Sequence, residues 1–190
     1  WSITDFGVAS SITNCSMHTN VSLRFGAQRR NFKERVATAP SIWAYARAAG
    51  LPTVYLYGQR GGVNENFMTD AERLEIDEAH YFPSVPMVDR DHEIARLLSK
   101  LLANGRPEFI LVNKAGVHFP LDGMYPAGSG SFKPEVGPGA FTKDKRFWRL
   151  YRNNYRNAVD WSVGAFFDEL FSGLGSQQPP ATIFYTSDHG

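Results

Sequence analysis

The 190-residue chain carries a net charge of +1, with 43% hydrophobic and 14% aromatic residues. That size suits a domain with a sizeable core and excludes a disordered chain. The near-zero charge supplies no electrostatic case for nucleic acid or an anionic membrane surface. Its single cysteine, Cys15, excludes an internal disulfide, and no apolar run approaches the about 20 residues that span a bilayer. The chain opens "WSITDFG", without an initiator Met or a signal peptide, and so reads as a segment of a longer protein. Its basic clusters, "RRNFKER" and "KDKRFWRLYRNNYR", read as solvated helix faces.

Taken in chain order, "WSITDFGVAS" predicts a short strand turning into a polar segment, and "SMHTNVSLRFG" a helix closed by Gly26. "SIWAYARAAGLP" predicts a helix capped by Ser41 and stopped by Gly50 and Pro52. The β-branched and aromatic content of "TVYLYGQ" favours a strand over a buried helical turn. A long polar connection follows, with room for a short helix around Asp70 to Asp77. "DRDHEIARLLSKLLANG" places Ile94, Leu97, Leu98, Leu101 and Leu102 at helical spacing, closed by Gly105. "PEFILVNKAGVHFP" starts as a buried strand and ends in a loop, and the Gly- and Pro-rich "DGMYPAGSGSFKPEVGPGAFTKD" reads as an irregular excursion. From Lys145 to Leu174 one long helix is predicted, its apolar stripe running through Trp148, Tyr151, Tyr155, Ala158, Val159, Val163, Phe166 and Leu170. "PPATIFYTSDHG" supplies a last strand. The alternation of strands and helices predicts an α/β fold, a mostly parallel sheet sandwiched between helices.

Sites in open α/β sheets form beyond the carboxyl ends of the strands. Three stretches fall there: "GVASSITNC", "NKAGVHFP" and "SDHG". Asp188 and His189 supply the oxygen and nitrogen that zinc accepts, although the dipeptide alone reads more readily as a turn cap and a surface histidine. The hydroxyls of "SSIT" precede a helix, where backbone N–H groups favour anions; an ordinary N-cap is the plainer local reading. His118 in "GVHFP" could bind an oxyanion or act as a general acid, and Lys114 could neutralise a phosphate; alone, each is a loop histidine and a solvated lysine.

Together these stretches resemble the alkaline phosphatase superfamily, in particular the sulfatase-like branch that holds the phosphoethanolamine transferases. "FILVNKAGVHFPLDGMYP" is similar to the branch's Gly-x-His-x-Pro stretch ending in Tyr-Pro. "YRNNYRNAVDWSVGAFFDEL" is similar to its Tyr-x-Asn-rich helix, and "TIFYTSDHG" to its metal-binding Ser-Asp-His-Gly. The resemblance implies an alkaline-phosphatase-like fold and zinc held by Asp188 and His189. It implies a nucleophile, itself a metal ligand, among Ser11, Ser10 and Thr13, in that order of preference. His118 would contact the transferred group or protonate the leaving alkoxide, with Lys114 and Asn66 as further substrate contacts.

The activity implied is metal-dependent transfer of a phospho-group, of the phosphoethanolamine type, to an envelope lipid or glycan through a covalent Ser or Thr intermediate. The parent protein would be anchored in the cytoplasmic membrane with this domain on its outer, periplasmic side. Residues 1–190 would form a single partial catalytic domain, cut at both ends. The resemblance places an acidic ligand before Trp1 and a further His ligand after Gly190, so zinc would be weakly held or absent and the segment alone inactive. Two alternatives remain at this stage: an ester hydrolase of sulfatase or phosphatase type on the same fold, and a non-catalytic module that binds a headgroup or glycan. Arylsulfatases convert a Cys or Ser followed by x-Pro-x-Arg, whereas Cys15 continues as "CSMHT".

Overall fold

The structure is a computed structural model and describes residues 2–59, 65–137, 139–140, 143–176 and 180–189. The chain divides into two compact units, Trp1–Val54 with Gly61–Glu78 and Thr182–Gly190, and Tyr55–Arg60 with Ala79–Ala181.

The first unit is built on short helices. Helix α1 (Ser16–Phe25) ends where Gly26 turns left-handed, at φ 60°, and returns its N–H to Ser22 O. Helices α2 (Phe32–Thr38) and α3 (Ile42–Ala48) follow. The Ser41 side chain accepts from the Ala44 amide, as the sequence predicts for an N-cap. Helix α4 (Asp70–Leu74) starts in a capping box between Thr69 and Glu72. Val21, Phe25, Trp43, Ala46, Val54 and Met68 supply the buried apolar side chains.

Arg24 is buried with them. Its Nε donates to Glu72 Oε1 at 2.6 Å and its Nη2 to Asn66 O at 2.8 Å, while Glu72 Oε2 accepts the Thr69 amide at 3.0 Å. Both side chains are only 3% exposed. Asn66, also buried, has a left-handed backbone at φ 54°.

The second unit holds the sheet. Strand β1 (Thr53–Tyr57), whose first two residues belong to the other unit, lies between β2 (Glu78–Tyr81) and β3 (Phe109–Asn113) in a three-stranded parallel sheet of order β2-β1-β3. Its central position explains why every residue of β1 is buried and why its sequence after Thr53 is continuously apolar or aromatic. Helix α5 (Met87–Ala103) packs on α7 (Ala165–Leu174). Ile94, Ala95 and Leu98 from the first, with Phe166, Leu170 and Leu174 from the second, make up most of the unit's buried aliphatic and aromatic side chains.

Four sequence expectations are corrected. Residues 2–15 and 181–187 form no strand, and among the described residues neither run pairs with another; Phe184 is 83% exposed. Strand β2 comes from the stretch read as a polar connection: it is a short, mostly exposed edge strand, whose polar residues give no apolar alternation. Residues 60–64 of that connection lie outside the described residues. The long helix breaks into a 3₁₀ turn (Lys145–Phe147), α6 (Trp148–Val159), a π-helical turn (Asp160–Gly164) and α7.

The buried face of α6 is polar rather than aromatic. Asn153, Asn154 and Asn157 are buried, whereas Trp148 is 58% exposed. Asn154 takes both the N–H and the C=O of Val136, at 2.8 and 3.1 Å, and Asn157 does the same for Phe132, at 2.9 and 3.1 Å. Asn153 donates to Pro134 O at 2.8 Å. These asparagines pair with an irregular segment as a neighbouring strand would, so the face that carries the packing is the one a hydrophobic pattern overlooks.

A test of the first unit follows from the buried ion pair. Replacing Glu72 with Ala leaves Arg24 buried without its counter-charge and should cost about 3 to 5 kcal/mol. Replacing Arg24 with Met and Glu72 with Leu together should cost far less. Urea unfolding midpoints read both effects.

Candidate active site

The first turn of α1 and the end of the chain meet inside the first unit. Cys15 is the N-cap of α1, in extended geometry, and makes no side-chain cap bond. The first-turn amides are therefore not taken up by a cap side chain, and an anion or a developing negative charge is favoured beside them. The next residue, Ser16, is the first of the helix. Its Oγ lies 3.1 Å from His189 Nε2. One turn on, Asn20 donates to Ser16 O at 2.8 Å and, in a longer contact of 3.4 Å, to Asp188 Oδ2. The Asp188 carboxylate accepts the His189 amide at 2.9 Å, and its Oδ1 lies 3.9 Å from His189 Nε2.

The hydroxyls that the sequence nominates sit just before this cluster. Ser11 is exposed and its Oγ donates to Thr13 O at 2.7 Å; Ser10 is exposed. Thr13 Oγ1 accepts the Cys15 amide at 2.7 Å, a local turn that leads the chain into α1. The structure brings Asp188 and His189 together with Ser16 and Asn20, two residues the sequence reading did not single out. The signal was present: a helix that begins at Ser16 puts that hydroxyl, not an earlier one, in the first turn, and Asn20 follows at i+4 on the same face.

The spacing of these donors suits zinc. Four tetrahedral ligands at 2.0–2.1 Å stand about 3.3 Å from one another. The separations of 3.1 Å from Ser16 Oγ to His189 Nε2 and 3.9 Å from there to Asp188 Oδ1 bracket that value. One imidazole, one carboxylate and one hydroxyl are donors of the kinds zinc accepts. Among the described residues no group of three or more His, Cys, Asp or Glu side chains could hold a metal, so the donors number three only with the serine.

In the second unit, Lys114 and His118 follow β3. His118 is exposed on the loop. The Lys114 ammonium turns inward instead. It donates to Ser162 O in the π-helical turn, lies 3.7 Å over the Phe166 ring and stands 4.0 Å from Asp91 Oδ2. Burial lowers its pKa to about 8, against the attraction of Asp91. Burial also raises the pKa of Asp91, with Lys114 the strongest opposing influence. Asn66 lies in the first unit, its carbonyl held by Arg24.

The model of the family described as Sulfatase matches residues 4–190. The chain is a member of the sulfatase family. Its fold is alkaline-phosphatase-like. No curated protein matches this sulfatase-family chain. Among solved structures it is similar to the C-terminal periplasmic domain of EcEptC from Escherichia coli in complex with Zn, with a TM-score of 0.69 and 17% identity over 89% of this chain and 48% of that one. A second structure of the same EcEptC domain gives a TM-score of 0.58 and 20% identity over 80% and 44%. The sulfatase-family chain thus spans about half the length of the solved chains it matches. Among the described residues no helix is long and apolar enough to cross a membrane.

The lowered pKa of Lys114 makes a pH prediction for this sulfatase-family domain. The folded-state pKa is about 8 against 10.5 for the free side chain. Between those values the unfolded chain still holds a proton that the folded chain has released. Raising the pH through that window therefore favours folding. The stability of the wild-type domain should rise relative to a Lys114→Met variant between about pH 7.5 and about pH 10, as read by urea midpoints at each pH.

Proposed function

We propose that this domain is the nucleophile- and metal-bearing core of a phospho-group transferase of the phosphoethanolamine type, with Ser16 as the nucleophile. The observation that carries the reading is the 3.1 Å approach of the Ser16 hydroxyl, the first residue of α1, to His189 beside Asp188. Membership of the sulfatase family, and likeness to a periplasmic domain solved with zinc, support it.

Ser16, Asp188 and His189 would hold the metal. When bound there, zinc supplies Lewis acidity, lowering the pKa of a hydroxyl and polarising a phosphoryl oxygen. The chain's own residues do the rest. Ser16 gives up its hydroxyl proton to solvent, its Oγ attacks the phosphorus of a phospholipid donor, and the bond from phosphorus to the lipid alkoxide breaks. The amides of the first turn of α1, which no cap side chain takes up, stabilise charge on the phosphoryl oxygens. Asn20, bonded to both Ser16 O and Asp188, fixes the rotation of that turn against the chain's end. The leaving alkoxide takes a proton from solvent. The hydroxyl of an envelope lipid or glycan then attacks the phosphoserine and releases Ser16, its proton passing to solvent. The parent protein acts at the outer face of the cytoplasmic membrane.

Product analysis of the full-length protein with a headgroup-labelled phospholipid tests this. Label should reach the acceptor, and an acid quench should leave a phosphoserine that peptide mass spectrometry assigns to Ser16. Ser16→Ala should lower kcat by about 10⁴-fold, and Ser11→Ala should stay within about twofold of wild type. Label trapped on Ser10, Ser11 or Thr13 would move the nucleophile. Release to water in the presence of acceptor would make the protein a hydrolase, and full activity of Ser16→Ala would remove this reading of the site.

A further inference from the structure

Helix α6 turns its asparagines inward and two large aromatics outward. Trp148 is 58% exposed and Tyr155 53%. At about 100° per residue, Tyr155, Trp148, Arg152, Arg156 and Arg149 fall in that order across one arc of about 120°. All five are exposed. The aromatics make one edge of the arc and the arginines the other. The inner face is accounted for, because its asparagines hold residues 132–136. Nothing in that packing asks for a tryptophan in water, where its apolar area stays hydrated.

The arginines are also without acidic partners. Among the described residues Arg149, Arg152 and Arg156 make no ion pair, and Arg156 lies 5.3 Å from the centre of the Phe132 ring. Helix α6 contains no acidic residue, and Asp160 comes only after its end. From Lys143 to Arg156 the chain has six basic residues and one acidic, Asp144, which pairs with Arg146. That stretch is net +5 where the whole chain is +1, so the remainder is net negative. At physiological salt, charges more than about 8 Å away are largely screened, so a surface touching α6 meets the local charge and not the total. The other basic cluster lacks this combination: Arg29, Arg30 and Lys33 are exposed, but their one aromatic neighbour, Phe32, is half-buried against His18.

Tryptophan and tyrosine rings settle at the headgroup level of a bilayer, with the ring toward the acyl chains and the N–H or O–H toward water. Arginine meets phosphate oxygens with two donors at once. A helix with these groups on adjoining edges is suited to lie in the plane of an anionic bilayer surface. Single-stranded nucleic acid uses the same residue types, but in a groove, and this face is the convex back of one helix. Protein interfaces are depleted of lysine, whereas the exposed Lys143 and Lys145 lead into this one.

We propose that the outward face of α6 is a docking surface for an anionic phospholipid bilayer, with Trp148 and Tyr155 entering the headgroup layer and Arg149, Arg152 and Arg156 binding lipid phosphates. The face lies wholly within the second unit. The proposal goes beyond the transferase reading and does not need it, because binding is read without turnover.

The test mixes the full chain with vesicles of phosphatidylcholine containing phosphatidylglycerol, and with vesicles of phosphatidylcholine alone, and reads the bound fraction by sedimentation. The chain should bind the first and not the second, and raising the salt from about 0.1 M to about 0.5 M should release it. Each basic residue at an anionic surface contributes a factor of about five in partitioning. Replacing Arg149, Arg152 and Arg156 together with Gln should therefore weaken binding about a hundredfold. Replacing Arg29, Arg30 and Lys33 with Gln makes the same change in charge and should stay within about threefold of wild type. Tryptophan emission should shift to the blue on binding, and Trp148→Phe should remove that shift. No binding, equal binding to neutral vesicles, equal losses in the two triple variants, or an emission shift that survives Trp148→Phe overturns the proposal. A single-stranded oligonucleotide that displaces the vesicles and shifts the same tryptophan assigns the face to nucleic acid and overturns it too. The salt dependence of the wild-type chain and the Trp148 shift decide the matter even where a triple variant fails to fold.

Discussion

The placement of α1 depends on the buried pair between Arg24 and Glu72. An arginine taken out of water costs several kcal/mol unless its donors are matched, and here Nε and Nη2 end on Glu72 and on Asn66 O. Only one rotation of α1 meets that demand. Ser16, Asn20 and Arg24 follow one another at i, i+4 and i+8, so the three share a face. A slip of one residue would turn the helix by about 100° and carry Ser16 away from His189 as surely as it would tear Arg24 from Glu72. The ion pair at one end of the helix therefore fixes the register in which the hydroxyl at the other end meets the chain's last side chains. Glu72 also closes the capping box of α4, so the same carboxylate ties the start of α4 to α1.

The second unit solves a different problem with similar chemistry. A parallel sheet of three strands leaves irregular backbone where its strands stop, and backbone groups there need partners. Arg90 supplies donors for two carbonyls and Asp91 supplies acceptors for two amides, from adjacent positions on one helix. The asparagines of α6 do the same for residues 132–136 with neutral groups that offer a donor and an acceptor at once. Polar side chains on rigid helices thus hold the irregular segments that follow β3.

The parts of this arrangement that were legible in the sequence are those with a strong local signal. Ser41 capping α3, Gly26 closing α1, the apolar run of β1 and the leucine spacing of α5 are each set by residues within one or two turns of each other. Strand β2 was not legible, because an exposed edge strand with residues as polar as Glu78 and His80 carries no burial pattern. The runs at 2–8 and 181–187 carried the pattern of strands without a ladder to join among the described residues; composition reports a preference for pairing, not the presence of a partner. On α6 the apolar stripe misled, since Trp148 and Tyr155 are exposed and the asparagines are inside. Ser16 was not singled out for a narrower reason. The sequence placed the helix start correctly, but the hydroxyls before it drew the reading, whereas the structure sets the hydroxyl of the first helical residue 3.1 Å from His189.

The two buried charge pairs differ in a way that bears on why each is kept. Arg24 and Glu72 are in direct contact at 2.6 Å. Lys114 and Asp91 stand 4.0 Å apart, and burial pushes the lysine's pKa down and the aspartate's up, both toward the neutral forms. A pair so placed contributes little to stability, and apolar residues of the same volume could fill the space at no greater cost. Such residues could not accept two backbone amides. The loop after β3 needs those bonds, because Ala115 and Gly116 face a helix at a point where the close approach of Gly58 leaves no room for a side chain. The charge is retained for what it holds, the backbone at the start of the loop after β3, rather than for what it contributes to the core.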